Sequence, residues 1–348
     1  MPINSLTHRT RPEIVAELSA NHNGSLSQAL ALVRAAAEAG VDAIKLQTYT
    51  PDTITLNASS PDFIIAEDHP LWAGRQLYDL YREAHTPWDW HEPIISLARD
   101  LGLDAFSTPF DESAVDFLEQ LGVTRYKIAS LEIVDIPLIT KVAATGKPIV
   151  LSTGASKLTE VDEAHAAIMR ENPEALVTLL LCSSSYPARP ETIGLANMEM
   201  LRQRYRARVG FSDHTEGLGA AIAAAALGAE MIEKHIKSDD AQSGVDNSFS
   251  SSEAEMRLLV RYAGEAALAA KDVKFGPNED EKESRRLRPS LWVTKSVAKG
   301  DVVSEKNVKS LRPGGGISPS QYSRVLGLAF SRDVSPATAL TFDLLTEQ

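Results

Sequence analysis

The chain has 348 residues, a formal charge of −12 and 43% hydrophobic residues. That supplies apolar material for a sizeable core, and its acidic balance excludes a broad, sequence-independent grip on nucleic acid, which needs a basic face. The single cysteine, Cys182, rules out an intrachain disulfide and suits a reducing compartment.

The stretch MPINSLTHRT lacks an apolar signal-peptide core, and no apolar run reaches the roughly 20 residues of a membrane helix. A cytoplasmic protein with no membrane partner is expected. From residue 12 on, short apolar runs alternate with helical periodicity. IVAELSA (14–20) reads as a strand, SLSQALALVRAAAEAG (25–40) as a helix with Ser at its start and Gly at its end, and AIKLQT (43–48) as the second strand. Residues 51–87 form a long insert rich in Trp and Tyr, suited to a lid or an interface. A helix at 88–102 follows, then the strand AFSTPF (105–110), a helix at 111–122 and the strand YKIAS (126–130). Next come a helix at 136–146, the strand PIVLSTG (148–154), a helix at 159–172 and the strand VTLLLCSSS (177–185). A helix at 195–205, the strand RVGFSDH (208–214), a helix at 216–228, the strand MIEKHI (231–236) and a helix at 252–270 complete the series.

Eight strand–helix units predict an α/β fold, a (β/α)8 TIM barrel over residues 1–271. Residues 272–289 are charged, lack an apolar face and read as a linker. Residues 290–348 hold short β-like pieces, SLWVTKSV, DVVS and RVLGLAFS, punctuated by RPGGGISP. They read as a small C-terminal β-rich domain, of a size that leans on a partner surface.

Residues two apart on a strand share a face. Glu17 pairs with Ser19, Lys45 with Gln47, Ser152 with Gly154, Ser212 with His214 and Glu233 with His235, while Cys182, Ser184 and Tyr186 form a further set. Ile44, Leu46, Phe211 and Ile232 take the opposite parity. In a barrel the polar parity converges at the C-terminal mouth, where catalytic groups sit. Carboxylates and lysines gathered there point to a site, because an isolated buried charge is costly. His214 and His235 end neighbouring strands and can share one divalent metal. Cys182 is either a third ligand or a buried structural thiol, the commoner case. Lys45 and Lys127 can reach a phosphate or carboxylate, and STG (152–154) and SDHTEG (212–217) add hydroxyls and backbone N–H groups. GLGAAI (217–222) is half a dinucleotide fingerprint with no nucleotide-binding unit around it. Lys234 takes the outer parity and acquires no role from this pattern.

Together AELSANHNGS, IKLQTYTP, YKIAS, LSTG, GFSDHTEG and IEKHI resemble the sialic acid synthase family, in order and over nearly the whole chain. KSVAKGDVVSEKNVKSLRPGGGISP resembles that family's small antifreeze-like (SAF) domain. AELSANHNGS, QTYTPDTITLN, DFII and LWAGRQLYDLYREAHTPWDWH look most like the pseudaminic acid branch. The N-acetylneuraminic and legionaminic acid branches compete with it, and a non-catalytic carbohydrate-binding protein is a more distant reading.

The resemblance implies an enzyme that condenses phosphoenolpyruvate with an amino-sugar aldehyde and water, giving a longer 2-keto acid and phosphate. It implies a divalent metal, Mn2+ or Mg2+, on His214 and His235. It implies catalytic roles for Glu17, Glu132 and Glu233, with Glu132 steering the water. Lys45, Gln47, Lys127, Ser130, Ser152, Ser184, Tyr186, Ser212 and Asp246 would bind substrate. Arg312, in LRPGG, matches an arginine that the SAF domain offers to a neighbouring subunit, which implies a domain-swapped homodimer. Two places depart from the pattern: Asp239 and Asp240 stand where the family often has a basic residue, and Ser184 where it commonly has Asn.

Overall fold

The computed structural model describes residues 10–68, 71–239, 244–271 and 275–347. The chain divides into two compact units after Lys271. The first unit opens with β1 (Glu13–Glu17), α1 (Leu26–Ala39) and β2 (Ala43–Thr48). The insert that follows contributes α2 (Pro51–Ile54) and α3 (Leu77–Ala84). Then come α4 (His91–Asp100), β3 (Asp104–Pro109), α5 (Glu112–Gln120), β4 (Tyr126–Ile128), α6 (Ile136–Ala144) and β5 (Ile149–Ser152). The unit ends with α7 (Leu158–Glu171), β6 (Val177–Cys182), α8 (Asn197–Tyr205), β7 (Arg208–Asp213), α9 (Gly219–Ala226), β8 (Met231–His235) and α10 (Glu253–Ala269). The eight strands close into a parallel barrel in chain order, with β8 returning to β1. This is the fold that the alternating periodicity predicts.

Local chemistry sets the helix ends. Ser25 caps α1 by accepting from Gln28 N, and Gly40 leaves it with φ 81°, a left-handed conformation that suits glycine. Asp111 caps α5 from Ser113 N and Ala114 N, and Ser252 with Glu255 forms a capping box on α10.

Alternation along the strands sorts side chains into two populations. The outer parity, including Ile14, Ile44, Leu46, Ile128, Leu151, Leu179, Phe211 and Ile232, is buried under the helices. The inner parity is layered. At the bottom the Arg125 guanidinium is bonded to Glu13, lies 2.9 Å from Asp104 and stands 4.2 Å over the Phe106 ring. Above it an apolar plug is made by Val15, Ala43, Phe106, Val150, Leu180 and Met231. The polar ends of the strands lie above the plug. Gly210 on β7 is needed for this closure, since a Cβ there would come within 2.3 Å of the Met231 carbonyl on β8.

The strand ends run shorter than the alternation suggests. After Glu17 the chain turns into a short 3-10 helix (Ser19–His22), so Ser19 is not a strand neighbour of Glu17. Among the described residues, no helix is long and apolar enough to cross a membrane.

The second unit has its own core, with Leu291, Val293, Val308, Val325, Phe330 and Leu340 fully buried. The segment read as a linker carries structure: a 3-10 turn (Glu279–Glu281), capped by Asn278, runs into α11 (Lys282–Arg286). Residues 272–274 of that segment lie outside the described residues. Then follow β9 (Ser290–Val293), β10 (Val308–Leu311), α12 (Tyr322–Val325), β11 (Ala329–Phe330), β12 (Thr338–Ala339) and β13 (Leu345–Thr346). They form a three-stranded sheet, β10–β9–β12, and a two-stranded one, β11–β13. DVVS forms no strand beyond a single bridge from Val302 to Ala329, and RVLGLAFS divides between α12 and β11. These elements are too short for a period of two to register.

Candidate active site

At the C-terminal mouth, Lys45 Nζ lies 2.5 Å from Glu17 Oε2 and 3.8 Å from Glu233 Oε2. Lys127 Nζ donates to Glu233 Oε1 at 3.3 Å, and the Ser212 hydroxyl donates to the same oxygen at 2.9 Å. Lys45 also reaches Thr108 Oγ1 at 3.3 Å. All these side chains are buried. For Glu233, burial alone would favour the neutral acid, but Lys127, Lys45 and Ser212 outweigh it and hold the carboxyl down to about 2. Burial pushes Glu17 up, and the Glu233 charge adds to that against the pull of Lys45. Burial also pulls the Lys127 ammonium down, with Glu233 opposing it, and two lysines converging on the Glu233 carboxylate make the cluster suited to an anion.

Beside it lies a set of hydroxyls around Gly154. The Gly154 N–H donates to Ser130 Oγ at 3.0 Å. A Cβ on Gly154 would meet Ser184 Oγ at 2.4 Å, Ser130 Oγ at 2.8 Å and Cys182 Sγ at 3.2 Å, so only glycine leaves this cradle open. Ser152 Oγ and Ser184 Oγ are buried without a hydrogen-bond partner, as is Glu132 Oε2. Burial raises Glu132 to about 7, with Lys127 only partly offsetting it.

Two residues beyond Ser212 and Glu233, just past the end of β7 and at the end of β8, the imidazoles of His214 and His235 have centroids 5.4 Å apart. His214 Nδ1 donates to the Ser183 carbonyl at 2.9 Å, so in the neutral ring the lone pair is on Nε2, the ligating atom; burial pulls this ring down but Cys182, Ser183 and Glu233 together push it up, so a cation there displaces a proton. His235 Nδ1 is buried without a partner, and burial keeps that ring neutral, the ligating form. Two converging imidazoles, one oriented through Nδ1 and one with an orphaned nitrogen, fit a divalent cation whose remaining positions go to water or substrate oxygens. Among the described residues no group of three His, Cys, Asp or Glu side chains is placed to hold a metal. Cys182 Sγ lies 3.7 Å from His214 Nδ1, on the side of the ring away from the free Nε2, so it reads as a neighbour of the ring and not as a third ligand.

The walls are aromatic. Phe249 stands 4.9 Å from His235, 5.9 Å from His214 and 5.1 Å from Tyr186, and Tyr186 lies 4.5 Å from His214. The insert brings Trp72 to 6.0 Å from Tyr186, and the indole N–H donates to the Val245 carbonyl at 3.3 Å. Asp246 accepts from the Ser19 hydroxyl and, at 3.4 Å, from Ala20 N. Gln47 is partly buried near the end of β2. Arg312 is exposed, one residue past β10 in the second unit.

Asp239 accepts from Glu253 N at 2.9 Å, at the start of α10, where a helix favours negative charge. That gives an acidic residue a local reason to stand there. Asp240 lies outside the described residues.

Thr108, Trp72 and Phe249 were not anticipated from the sequence. Thr108 had a signal, since it shares the inward parity of Phe106. Trp72 and Phe249 lie outside the barrel strands, where no parity applies.

A model of the NeuB family matches residues 32–274, and a model of the SAF domain matches residues 288–346. The chain is 41% identical over 333 residues to the pseudaminic acid synthase of Helicobacter pylori, covering 95% of this chain and 97% of that protein. It is 34% identical to the N,N'-diacetyllegionaminic acid synthase of Legionella pneumophila, covering 95% and 93%. Among solved structures, the N-acetylneuraminic acid synthetase of Leptospira borgpetersenii in complex with citrate aligns with a TM-score of 0.69 at 28% identity, over 79% of this chain and 90% of that one.

Proposed function

The chain belongs to the NeuB family, and from that premise we propose that it condenses phosphoenolpyruvate with 2,4-diacetamido-2,4,6-trideoxy-L-altrose and water to give pseudaminate and phosphate. One observation carries the reading: two lysines and two glutamates, Lys45, Lys127, Glu17 and Glu233, are buried together next to the paired imidazoles of His214 and His235. A non-catalytic sugar-binding protein has no need of so costly a cluster. The higher identity to the Helicobacter protein than to the Legionella one supports the pseudaminic acid branch.

Lys45 and Lys127 bind the phosphate and carboxylate, assisted by the hydroxyls of Ser130, Ser152, Ser184 and Ser212. Fixed donors in a water-poor site stabilise developing charge most. A divalent cation on His214 and His235, Mn2+ or Mg2+, would polarise the sugar aldehyde. The C3 carbon of phosphoenolpyruvate forms a bond to the aldehyde carbon, and the aldehyde oxygen takes up a proton. Water adds to the electron-poor C2 and loses one proton; the resulting C2 hydroxyl then becomes the keto oxygen, passing its proton to the departing phosphate as the bond from C2 to the phosphate-ester oxygen breaks. Glu132 steers the water and takes its proton, a task suited to a carboxylate that titrates near neutrality. Tyr186, Asp246, Gln47 and Glu17 line the sugar side. Arg312 completes the site of the partner in a domain-swapped homodimer. The reaction is placed in the cytoplasm, with its phosphoenolpyruvate supply.

The test is phosphate release by chelator-stripped protein supplied with phosphoenolpyruvate, Mn2+ and, in turn, the pseudaminic, legionaminic and N-acetylneuraminic precursors. Release that requires both metal and sugar, and is fastest with the altrose derivative, is expected. No sugar-dependent release with any of them overturns the synthase reading, and a clear preference for another sugar moves the protein to that branch.

A further inference from the structure

Lys234 sits on the outer face of β8, between the inward residues Glu233 and His235, and its side chain is completely buried. The condensation needs no charge there. Its ammonium donates to Asp213 Oδ2 at 2.8 Å and to the Thr215 carbonyl at 2.9 Å. Asp213 Oδ1 in turn accepts from the Thr215 N–H at 2.9 Å and from the Thr215 hydroxyl at 2.8 Å. Strand register sets Asp213 directly beside Lys234 across the β7–β8 pair. These bonds therefore hold both residues that flank His214, and they start from the residue that precedes His235.

A buried ion pair is a poor stabiliser, because desolvation offsets its attraction and an apolar pair of similar volume serves as well or better. The surroundings suit an apolar pair: α9, which packs on β7 and β8, buries Ala221, Ala224 and Ala225. Charged, directional bonds supply something apolar packing does not, namely one fixed geometry. Geometry matters at this place, since His214 and His235 come from adjacent strands and must meet one ion. His214 is held from other sides too, by Ala188 N on its carbonyl at 2.9 Å and by Ser183 on its ring. Groups that orient metal ligands commonly change affinity by about 10–100-fold when removed.

We propose that Lys234 is a positioning residue which, by bridging Asp213 and Thr215, fixes the relative placement of His214 and His235 and so sets the affinity for the divalent cation. The proposal rests on the two-histidine reading above.

The test is Mn2+ binding by the full-length protein, followed as free Mn2+ by electron paramagnetic resonance. The double variant Lys234→Met/Asp213→Asn removes the ion pair without stranding a charge. It is expected to unfold close to the wild-type temperature and to bind Mn2+ about 10–100-fold more weakly. Affinity within about twofold of wild type overturns the positioning role. If the double variant does not fold, Asp213→Asn alone decides by the same reading, with about threefold weakening or more in support and less than that against. His235→Ala separates the premise from the proposal. Unchanged Mn2+ binding in that variant removes the two-histidine reading and the proposal with it. Binding lost in His235→Ala but kept in the Lys234 variant overturns the positioning role alone.

Discussion

Lys127 on β4 donates to Glu233 Oε1 on β8 at 3.3 Å, and those two strands stand opposite each other in the closed barrel. The bond therefore spans the interior, and Lys45, on the adjoining wall, approaches the other oxygen of the same carboxylate. An anion that enters this cluster finds two ammonium groups already aimed at one place, and needs little reorganisation to use them.

Phosphoenolpyruvate should accordingly stabilise the protein without sugar present. At a hundredfold excess over its dissociation constant the gain is about 2.7 kcal/mol, read as a rise in melting temperature. Lys127→Met should show no such rise; an equal rise in that variant would remove Lys127 from the anion site.

Glu132 makes a prediction in two directions. Its carboxyl sits near 7 against an ordinary 4.5 because it is buried, so its ionised, proton-accepting form appears only as pH rises through about 7. The rate of turnover should rise over that range, and Glu132→Gln should lose the rise along with about a hundredfold or more in rate. Stability runs the opposite way. Between 4.5 and about 7 the folded protein holds a proton that the unfolded chain has released, so this group weakens the fold as pH increases and adds no further change above 7. Glu132→Gln should then be more stable than wild type at pH 8, by up to about 3 kcal/mol. A less stable variant at that pH would show that the carboxylate is held by a partner instead of merely buried.

Gly154→Ala places a methyl group against Ser184 Oγ and Ser130 Oγ. Both are ends of small side chains that can rotate away, so the fold should survive with a melting temperature within a few degrees of wild type. The hydroxyl cradle should not survive, and KM for phosphoenolpyruvate should rise by about tenfold, the worth of one or two hydrogen bonds. An unchanged KM would place the phosphate elsewhere.

The position of Cys182 beside His214 Nδ1 separates it from the metal site proposed at Nε2. Cys182→Ser should keep Mn2+ affinity within about threefold, while His214→Ala should lose about a hundredfold or more. Comparable losses in the two variants would make the thiol a third ligand.

The active site proposed to be shared between subunits predicts complementation. Arg312→Ala and His214→Ala should each be inactive alone, and mixed dimers should regain part of the activity, because one of the two sites then has both residues intact. Absence of recovery after demonstrated subunit exchange would argue that each subunit supplies its own arginine.

Much of the barrel and its mouth could be read from the chain itself. Strand alternation is a local property of the backbone, so the parity that carries Glu17, Lys45, Ser212, His214, Glu233 and His235 could be told from that of Ile44, Leu46 and Ile232 before any contact was known. Helix boundaries were equally local, because Ser25, Asp111 and Ser252 act on N–H groups two or three residues away. The family motifs supplied most of the assigned roles.

Partner choice was not local. Lys127 and Glu233 are 106 residues apart and meet only because the sheet closes on itself. Trp72 comes from a turn and Phe249 from a single 3-10 turn (Asn247–Phe249), both too short for any period to describe their direction. Asp239, unexpected where a basic residue was awaited, is explained by the N-terminus of a helix 14 residues on. Lys234 shows the division most plainly. Its parity already turned it away from the mouth, but its partners, Asp213 and the Thr215 carbonyl, were set by the register between β7 and β8, which pairing of the two strands decides. Sequence determines which way a side chain points because that follows from bonded geometry; tertiary structure determines what it meets, because that depends on how distant strands are brought together.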